Sequence, residues 1–404
     1  VVLACVREAE SLRRPFPRRV VNGTGVLVHT NLGRAPLGEL VERLDTRALA
    51  GYSDLEWDAG TGGRGSRDLA LQRQLRLLTG AEAALVVNNC ASALFLALNT
   101  LAADREVLVS RSELVEIGGS FRVPEIMEAS GCRLREVGTT NRTRLDDFER
   151  HARPGASVLL KVHQSNFVQR GFVEQVGVEE LVALGRRLAV PVVEDNGSGL
   201  VGMEEVATLA DEPRVVESLR RGVDVVCCSA DKLFGGVQAG ILLGGAERLE
   251  AMRKNPLYRV LRLDKVRMAL LDATLKQHLA GRAAELPLWR LFHADIVELA
   301  ARIERLRLPG PETRWASCRR VPLRGTLGGG TNPEADFESL GLELVHRDLA
   351  AEGVRRRFAA REVPVVGYVK QDRFHLDLRT VLPDDLPELQ RALDELGASA
   401  GAEG

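Results

Sequence analysis

The sequence predicts an α/β fold: a large domain on a mostly parallel sheet, followed by a small C-terminal α+β domain. Three observations carry this reading. From about residue 20 to 250, short apolar runs alternate with stretches of helical period, the pattern of strands and crossover helices in a sheet covered on both faces. After the Pro309–Pro311 break the pattern changes to a smaller mixed segment. Finally, 404 residues with 45% hydrophobic and 27% charged side chains and a net charge of -1 are an ordinary globular mixture, too apolar for long-range disorder.

The elements follow in order. Residues 2–14 read as a short amphipathic helix. Arg13, Arg14, Arg18 and Arg19 around two prolines make a basic linker, so residues 1–20 are set apart. The chain begins with Val rather than Met, which reads as a fragment or a trimmed chain, and Val1–Arg19 lacks the layout of a signal peptide. Residues 21–282 form the large domain. Its expected strands are Ala84–Val87, Glu106–Val109, Arg133–Val137, Ser157–Val162, Pro191–Glu194, Asp224–Cys228 and Gly240–Leu243. Between them lie helical stretches at Asp68–Leu78, Ala91–Leu101, Val178–Leu188 and Arg214–Arg220. Long helices are expected at Lys265–Leu279 and Leu286–Leu306. Residues 283–404 continue from the second of these into strands near Cys318–Leu323, Val363–Val369 and Arg373–Leu378. Helices are expected near Asp336–Arg347 and Leu386–Leu396, and the final SAGAEG reads as a frayed tail.

Several function classes drop out early. No apolar run approaches the ~18 residues that span a bilayer; the stretch from Ala93 to Ala103 is broken by Asn99 and Thr100. Six cysteines without a CxxC, and seven histidines without an HExxH or a Cys/His cluster, argue against a disulfide framework or a metal site and fit a reducing cytoplasm. Only six of the 55 basic residues are lysines, so a lysine at the end of an apolar strand stands out.

Three strand ends carry residues that suit chemistry. Asn88-Asn89-Cys90-Ala91-Ser92 lies between a strand and a helix, where small and polar residues leave backbone N–H groups at the positive end of the helix dipole and can cradle a phosphate. A plain N-cap would look the same. Asp195 ends a buried strand before Asn196-Gly197-Ser198-Gly199; a carboxylate there can pair with a protonated ring nitrogen, although Asp before Asn-Gly is also ordinary turn chemistry. Glu194 is expected on the opposite side of that strand. Ser229-Ala-Asp-Lys232 follows an apolar run and precedes Gly235-Gly236. A lysine beside a low-dielectric core has its pKa pushed down, which suits Schiff-base chemistry. Ser229 could share the phosphate with Ser92, and His163 ends another strand within reach of the same ligand. In that order on an alternating α/β chain, the three are the layout of a pyridoxal phosphate enzyme, with Lys232 attaching the cofactor and Asp195 facing its ring nitrogen. Arg64 and Arg67 in GGRGSR, and Arg259 and Arg262 three apart, carry guanidinium groups that suit anion recognition, although a solvated face would look the same for each pair alone.

Longer stretches resemble bacterial selenocysteine synthase, the L-seryl-tRNA(Sec) selenium transferase family. They are Val21–Leu37, Tyr52–Trp57 with GGRGSR at 62–67, Glu113–Pro124, Val137–Thr143, Lys161–Asn166, SADKLFGGVQAG at 229–240 and NPLYRVLRLDK at 255–265, with weaker likeness at 376–381. The resemblance implies a fold type I, aspartate aminotransferase-like, PLP-dependent transferase. It implies conversion of L-seryl-tRNA(Sec) to L-selenocysteinyl-tRNA(Sec) through an aminoacrylyl intermediate on pyridoxal 5'-phosphate, with selenophosphate as donor. It further implies a homodecamer, a ring of dimers, in the cytoplasm, with neither metal nor membrane. Carried over by residue, Lys232 is the Schiff-base lysine and Asp195 the partner of the pyridine nitrogen. Asn89, Cys90, Ala91, Ser92, His163 and Ser229 hold the cofactor, Cys90 standing where the family is expected to have Asn or Ala. Arg64, Arg67, Arg259 and Arg262 hold the selenophosphate anion. The family's N-terminal tRNA-gripping domain is largely missing from this sequence. The clusters Arg13–Arg19 and Arg355–Arg357 are the local basic footprint left for tRNA. Arg379 reads as part of a structural ion pair with Asp377 or a neighbour rather than as a carboxylate clamp. Two other readings share some of these features: a related pyridoxal phosphate lyase acting on a small phosphorylated amino sugar or amino acid, and a non-catalytic tRNA-binding assembly subunit.

Overall fold

The computed structural model describes residues 9, 12–13, 15–118, 121–154, 157–202, 207–332 and 334–398. The expected helix over 2–14 falls mostly outside the described residues, as do Gly119, Ser120 and the SAGAEG tail. The chain divides into two compact units. One comprises residues 28–290 and 327–335; the other comprises 1–27, 291–326 and 336–404.

The larger unit is built on seven strands: β1 (Ala83–Val87), β2 (Glu106–Ser110), β3 (Arg133–Val137), β4 (Ser157–Val162), β5 (Val192–Asp195), β6 (Val225–Ser229) and β7 (Gly240–Gly244). These are the seven runs expected from the sequence, each within a residue or so of its bounds. Their order is β1-β7-β6-β5-β4-β2-β3. Neighbours from β6 to β3 pair in parallel, and β7 alone runs antiparallel, between β6 and β1. The central strands are mostly apolar because both faces are covered, whereas edge strand β3, Arg-Leu-Arg-Glu-Val, exposes three charged residues. Ala84, Val86, Leu108, Leu159, Val192, Val226 and Ile241 join one core cluster. Their alternates Leu85, Val87, Val107, Leu160, Val193, Val225 and Leu242 join the other, as the two-residue period of a strand requires.

Some helices of this unit begin where side chains satisfy free backbone N–H groups. Asn89 caps the Cys90–Ala102 helix, its Oδ1 accepting from Ser92 N at 2.8 Å. Asp264 does the same for Lys265–Leu279. The Leu69–Thr79 helix ends at Gly80 in the left-handed region.

The smaller unit carries a four-stranded antiparallel sheet: β8 (Trp315–Thr326), β9 (Asp336–His346), β10 (Tyr368–Lys370) and β11 (Arg373–Asp377), in the order β8-β9-β11-β10. Its core joins Leu342, Leu344, Phe374 and Leu376 to Phe358 and Leu389 of two helices, Ala351–Ala359 and Leu386–Gly397. Three expectations fail in this half of the chain. The helix expected near Asp336–Arg347 is instead strand β9. Eleven of its residues pair with β8, and ladder pairing outweighs a weak helical period. The expected single helix over Leu286–Leu306 is two, Pro287–His293 and Ile296–Glu304, the second restarted by Asp295, whose side chain accepts from Glu298 N. The expected strand Val363–Val369 is split: Val365–Val366 pairs with Val21–Asn22, and β10 pairs with β11.

Candidate functional site

Sheet register assembles the site from residues far apart in sequence. Asp195 ends β5 level with Val162 on β4 and Cys227 on β6. His163 therefore follows at its side, its backbone N donating to Asp195 O at 3.0 Å. Ser229 ends β6 opposite Gly240, and Gly240 lies opposite Val87, the last residue of β1. That row delivers the Asn89–Cys90 helix start beside the Ser229–Lys232 turn. A Cβ on Gly240 would sit 2.0 Å from the Asn89 carbonyl oxygen, so only glycine lets β7 lie against the helix entry.

The result is a cavity of about 330 Å³ at the carboxyl ends of the parallel strands, lined by Asn89, Cys90, Ala91, His163, Asp195, Ser229 and Lys232 among others. Such edges are where open α/β sheets bind ligands. Lys232 is 5% exposed, and its Nζ donates to Gly330 O at 2.9 Å. Gly330 has φ +84°, and a Cβ there would meet Nζ at 2.6 Å. Burial pulls the Lys232 pKa down, aided by Arg34 and opposed by Cys90, Asp195 and Asp231, which favours a neutral, nucleophilic amine. Asp195 is pushed up by burial and drawn back by a hydrogen bond from Cys90 and by the Lys232 charge. That bond, Cys90 Sγ to Asp195 Oδ1, is 3.3 Å long. Burial pushes the Cys90 thiol well up, and the neighbouring Asp195 charge adds to it, so the sulfur acts here as a donor rather than as a nucleophile.

Two expectations for this cavity change. Ser92 does not line it; its role in the structure is to have its backbone N–H capped by Asn89. Ser229 lines it, but its hydroxyl donates to Asp231 Oδ1 at 2.8 Å. Glu194 lies on the opposite side of β5, as its position in the strand requires, and lines another cavity. The sequence reading passed over Thr30, Arg34, Ser165, Gly197 and Gln238, which also line the pocket. Thr30 and Arg34 fall inside a stretch already singled out, without a role. Arg34 sits at φ +63° and reaches both oxygens of Asp231 at 3.2 Å. A non-glycine left-handed residue of this kind marks functional turns, but backbone angles are invisible in a sequence.

The four arginines do come together, in a second cavity of about 260 Å³ that shares no lining residue with the first. Arg64, Arg67 and Arg262 converge on Glu56 at 3.3, 3.0 and 3.5 Å. Arg253 and Tyr258 meet Asp68. Five guanidinium groups, with Arg259, face two carboxylates there, an excess of positive charge suited to an anion. Arg379 is instead a structural residue. It is 3% exposed and donates to the carbonyls of Leu291, Phe292 and Glu338, and it stacks over Phe337. Carbonyls take the hydrogen bonds of its guanidinium, while the Asp377 carboxylate accepts from its backbone N at 2.9 Å and acts on the guanidinium through its charge. Among the described residues no group of three or more His, Cys, Asp or Glu could hold a metal. No helix among them is long and apolar enough to cross a membrane.

Comparison with known proteins adds three findings. A family model described as L-seryl-tRNA selenium transferase (SelA) matches residues 20–382. The L-seryl-tRNA(Sec) selenium transferase of Aquifex aeolicus is 42% identical over 391 residues, 96% of this chain and 86% of the relative. That of Geobacter sulfurreducens is 46% identical, over 94% of this chain and 83% of the relative. Among solved structures, D-glucosaminate-6-phosphate ammonia-lyase aligns with a TM-score of 0.65 at 17% identity, covering 94% of this chain and 95% of its own. SPT with PLP aligns at 0.50 and 12%, covering 93% and 87%.

Proposed function

The chain belongs to the L-seryl-tRNA selenium transferase family, and on that premise we propose that the Lys232 cavity is where its reaction takes place. The protein is a PLP-dependent transferase of fold type I that converts L-seryl-tRNA(Sec) to L-selenocysteinyl-tRNA(Sec). The residues present fit pyridoxal phosphate. Among the described residues the Lys232 amine meets a single carbonyl and the Asp195 carboxylate a single thiol. Each is buried and has hydrogen-bonding capacity to spare, which is costly unless a ligand uses it. When bound, the cofactor supplies an electron sink for the pair released at the substrate Cα.

The chain's own residues do the rest. Lys232 Nζ would hold the cofactor and, when free, would accept the Cα proton. Its depressed pKa keeps it able to accept one. Asp195 holds the proton on the ring nitrogen, and Cys90 Sγ fixes the rotamer of that carboxylate. The helix entry at Asn89–Ala91 receives the phosphate with its first-turn N–H groups. The Arg64, Arg67, Arg259 and Arg262 cavity binds selenophosphate. It shares no lining with the Lys232 cavity, and a homo-oligomer, a ring of dimers, would let one copy's arginines serve another's lysine. The seryl carboxyl is esterified to tRNA, so no clamp for a free carboxylate is needed, consistent with Arg379 being spent on carbonyls. Cys90, Cys132, Cys227, Cys228 and Cys318 are unpaired, which fits a reducing cytoplasm.

The observation that carries this reading is the gathering of Lys232, Asp195 and the Cys90 helix start around one cavity. The test is spectroscopic. Purified protein should show a borohydride-reducible cofactor band near ~420 nm, and should convert radiolabelled seryl-tRNA(Sec) when given selenophosphate. Lys232→Ala should lose both. A reducible band that survives Lys232→Ala overturns the assignment.

A further inference from the structure

One buried acid beside the pocket has no role in the chemistry above. Glu212 is 3% exposed, and among the described residues no donor lies within ordinary hydrogen-bond geometry of either carboxylate oxygen, although Ser198 is close enough to draw on the carboxylate. His163 packs against it, its Nδ1 3.7 Å from Glu212 Oε1. His163 lines the Lys232 cavity. The same Nδ1 lies 3.1 Å from the Asn196 carbonyl oxygen. A carbonyl cannot donate, so Nδ1 carries a proton in this arrangement, and in the neutral ring Nε2 is then a lone pair. Nε2 has no protein partner among the described residues.

We infer that Glu212 is a positioning residue of the pocket: it and His163 form a buried acid–imidazole pair whose joint protonation state decides whether His163 presents a lone pair or an N–H to the bound ligand. An ionised Glu212 would face Nδ1–H and draw a second proton onto the ring, so Nε2 would become a donor. A protonated Glu212 leaves the ring neutral and Nε2 an acceptor. The surroundings set the balance. Among the described residues, the polar and charged groups facing the pair are Ser198, the Asn196 carbonyl, Lys161 and Lys232. Burial pushes Glu212 up to about 7, against the pull of Ser198 and Lys232. Burial pushes His163 down to about 4, helped by the two lysines and opposed by Asn196. Groups this close titrate as a pair rather than singly, and one of their steps falls in the physiological range.

The role toward the cofactor rests on the Lys232 cavity being the pyridoxal phosphate site; the proton pairing does not. Infrared difference spectra between pH 5 and 9 on the full-length holoprotein, with ring-labelled histidine, test both. The expected result is a protonated-carboxyl band that bleaches near neutrality together with a change in the His163 ring band. Glu212→Gln should abolish both changes. His163→Asn should keep the carboxyl band and shift its midpoint. The cofactor's visible band should lose its neutral-pH transition in Glu212→Gln. If Glu212→Gln fails to fold, the wild type against His163→Asn decides. A carboxyl band independent of Glu212, or a His163 ring band unchanged by Glu212→Gln, overturns the pair. A paired infrared signal with an unmoved cofactor band overturns its role in the pocket. Loss of the reducible band in Lys232→Ala remains the separate test of the cavity itself.

Discussion

Glu212 has a consequence for stability that can be worked through. Its pKa is raised from the ordinary 4.5 to about 7 in the folded protein. An acid whose folded pKa is raised holds its proton more tightly when folded. Its contribution to stability is therefore complete below the unfolded pKa, and is lost as pH rises through the folded one. At about 1.36 kcal/mol per pKa unit, the whole window is worth about 3 kcal/mol, most of which falls between pH 5 and pH 8. Urea unfolding of the cofactor-free protein at those two pH values, in wild type and in Glu212→Gln, gives a double difference. The new amide's own burial cost is the same at both pH values and cancels. The wild type should lose about 2–3 kcal/mol more than the variant between pH 5 and pH 8. Equal losses in the two proteins would refute the claim that burial holds this proton.

Other expectations follow from the same geometry. Asp195→Asn removes the charge facing the ring nitrogen; the cofactor should still attach at Lys232 while seryl-tRNA turnover falls by about 10²- to 10⁴-fold in single-turnover assays. Arg259→Ala should raise the KM for selenophosphate by about 10- to 100-fold, the worth of one charge-assisted contact, and leave the cofactor band untouched. Phe374 is fully buried and packs on Phe358 at 5.1 Å between centroids; Phe374→Ala should cost the smaller unit about 3–5 kcal/mol by denaturant unfolding.

The larger unit was legible because its signals are local. Most strands of its sheet are apolar runs, and the candidate residues around the Lys232 cavity lie at a strand's last residue or within a few positions after it, where a parallel sheet places its ligands. Lys232 was conspicuous in a chain poor in lysine. The smaller unit was less legible because β9 is buried unevenly. Ser339, Gly341 and Glu343 are covered along with Leu342 and Leu344, so no clean two-residue alternation marked it as a strand, and the spacing of Phe337, Leu340 and Leu344 mimicked a helix turn. Glu212 gave no signal at all: it lies between a 3-10 turn and a helix, and reads as a surface acid before a proline.

The sequence by itself determined the strand series, the residues at the strand ends and the family, since all of these are written in contiguous stretches of chain. Only the tertiary structure decided which of those residues meet. The register row from Val87 through Gly240 to Ser229 brings the Asn89 helix start to Lys232, while the arginines gather round Glu56 in a cavity of their own. It also decided which acids lose their water. Desolvation depends on atoms packed from distant segments, and those are what raise Glu212 and Asp195 and lower Lys232.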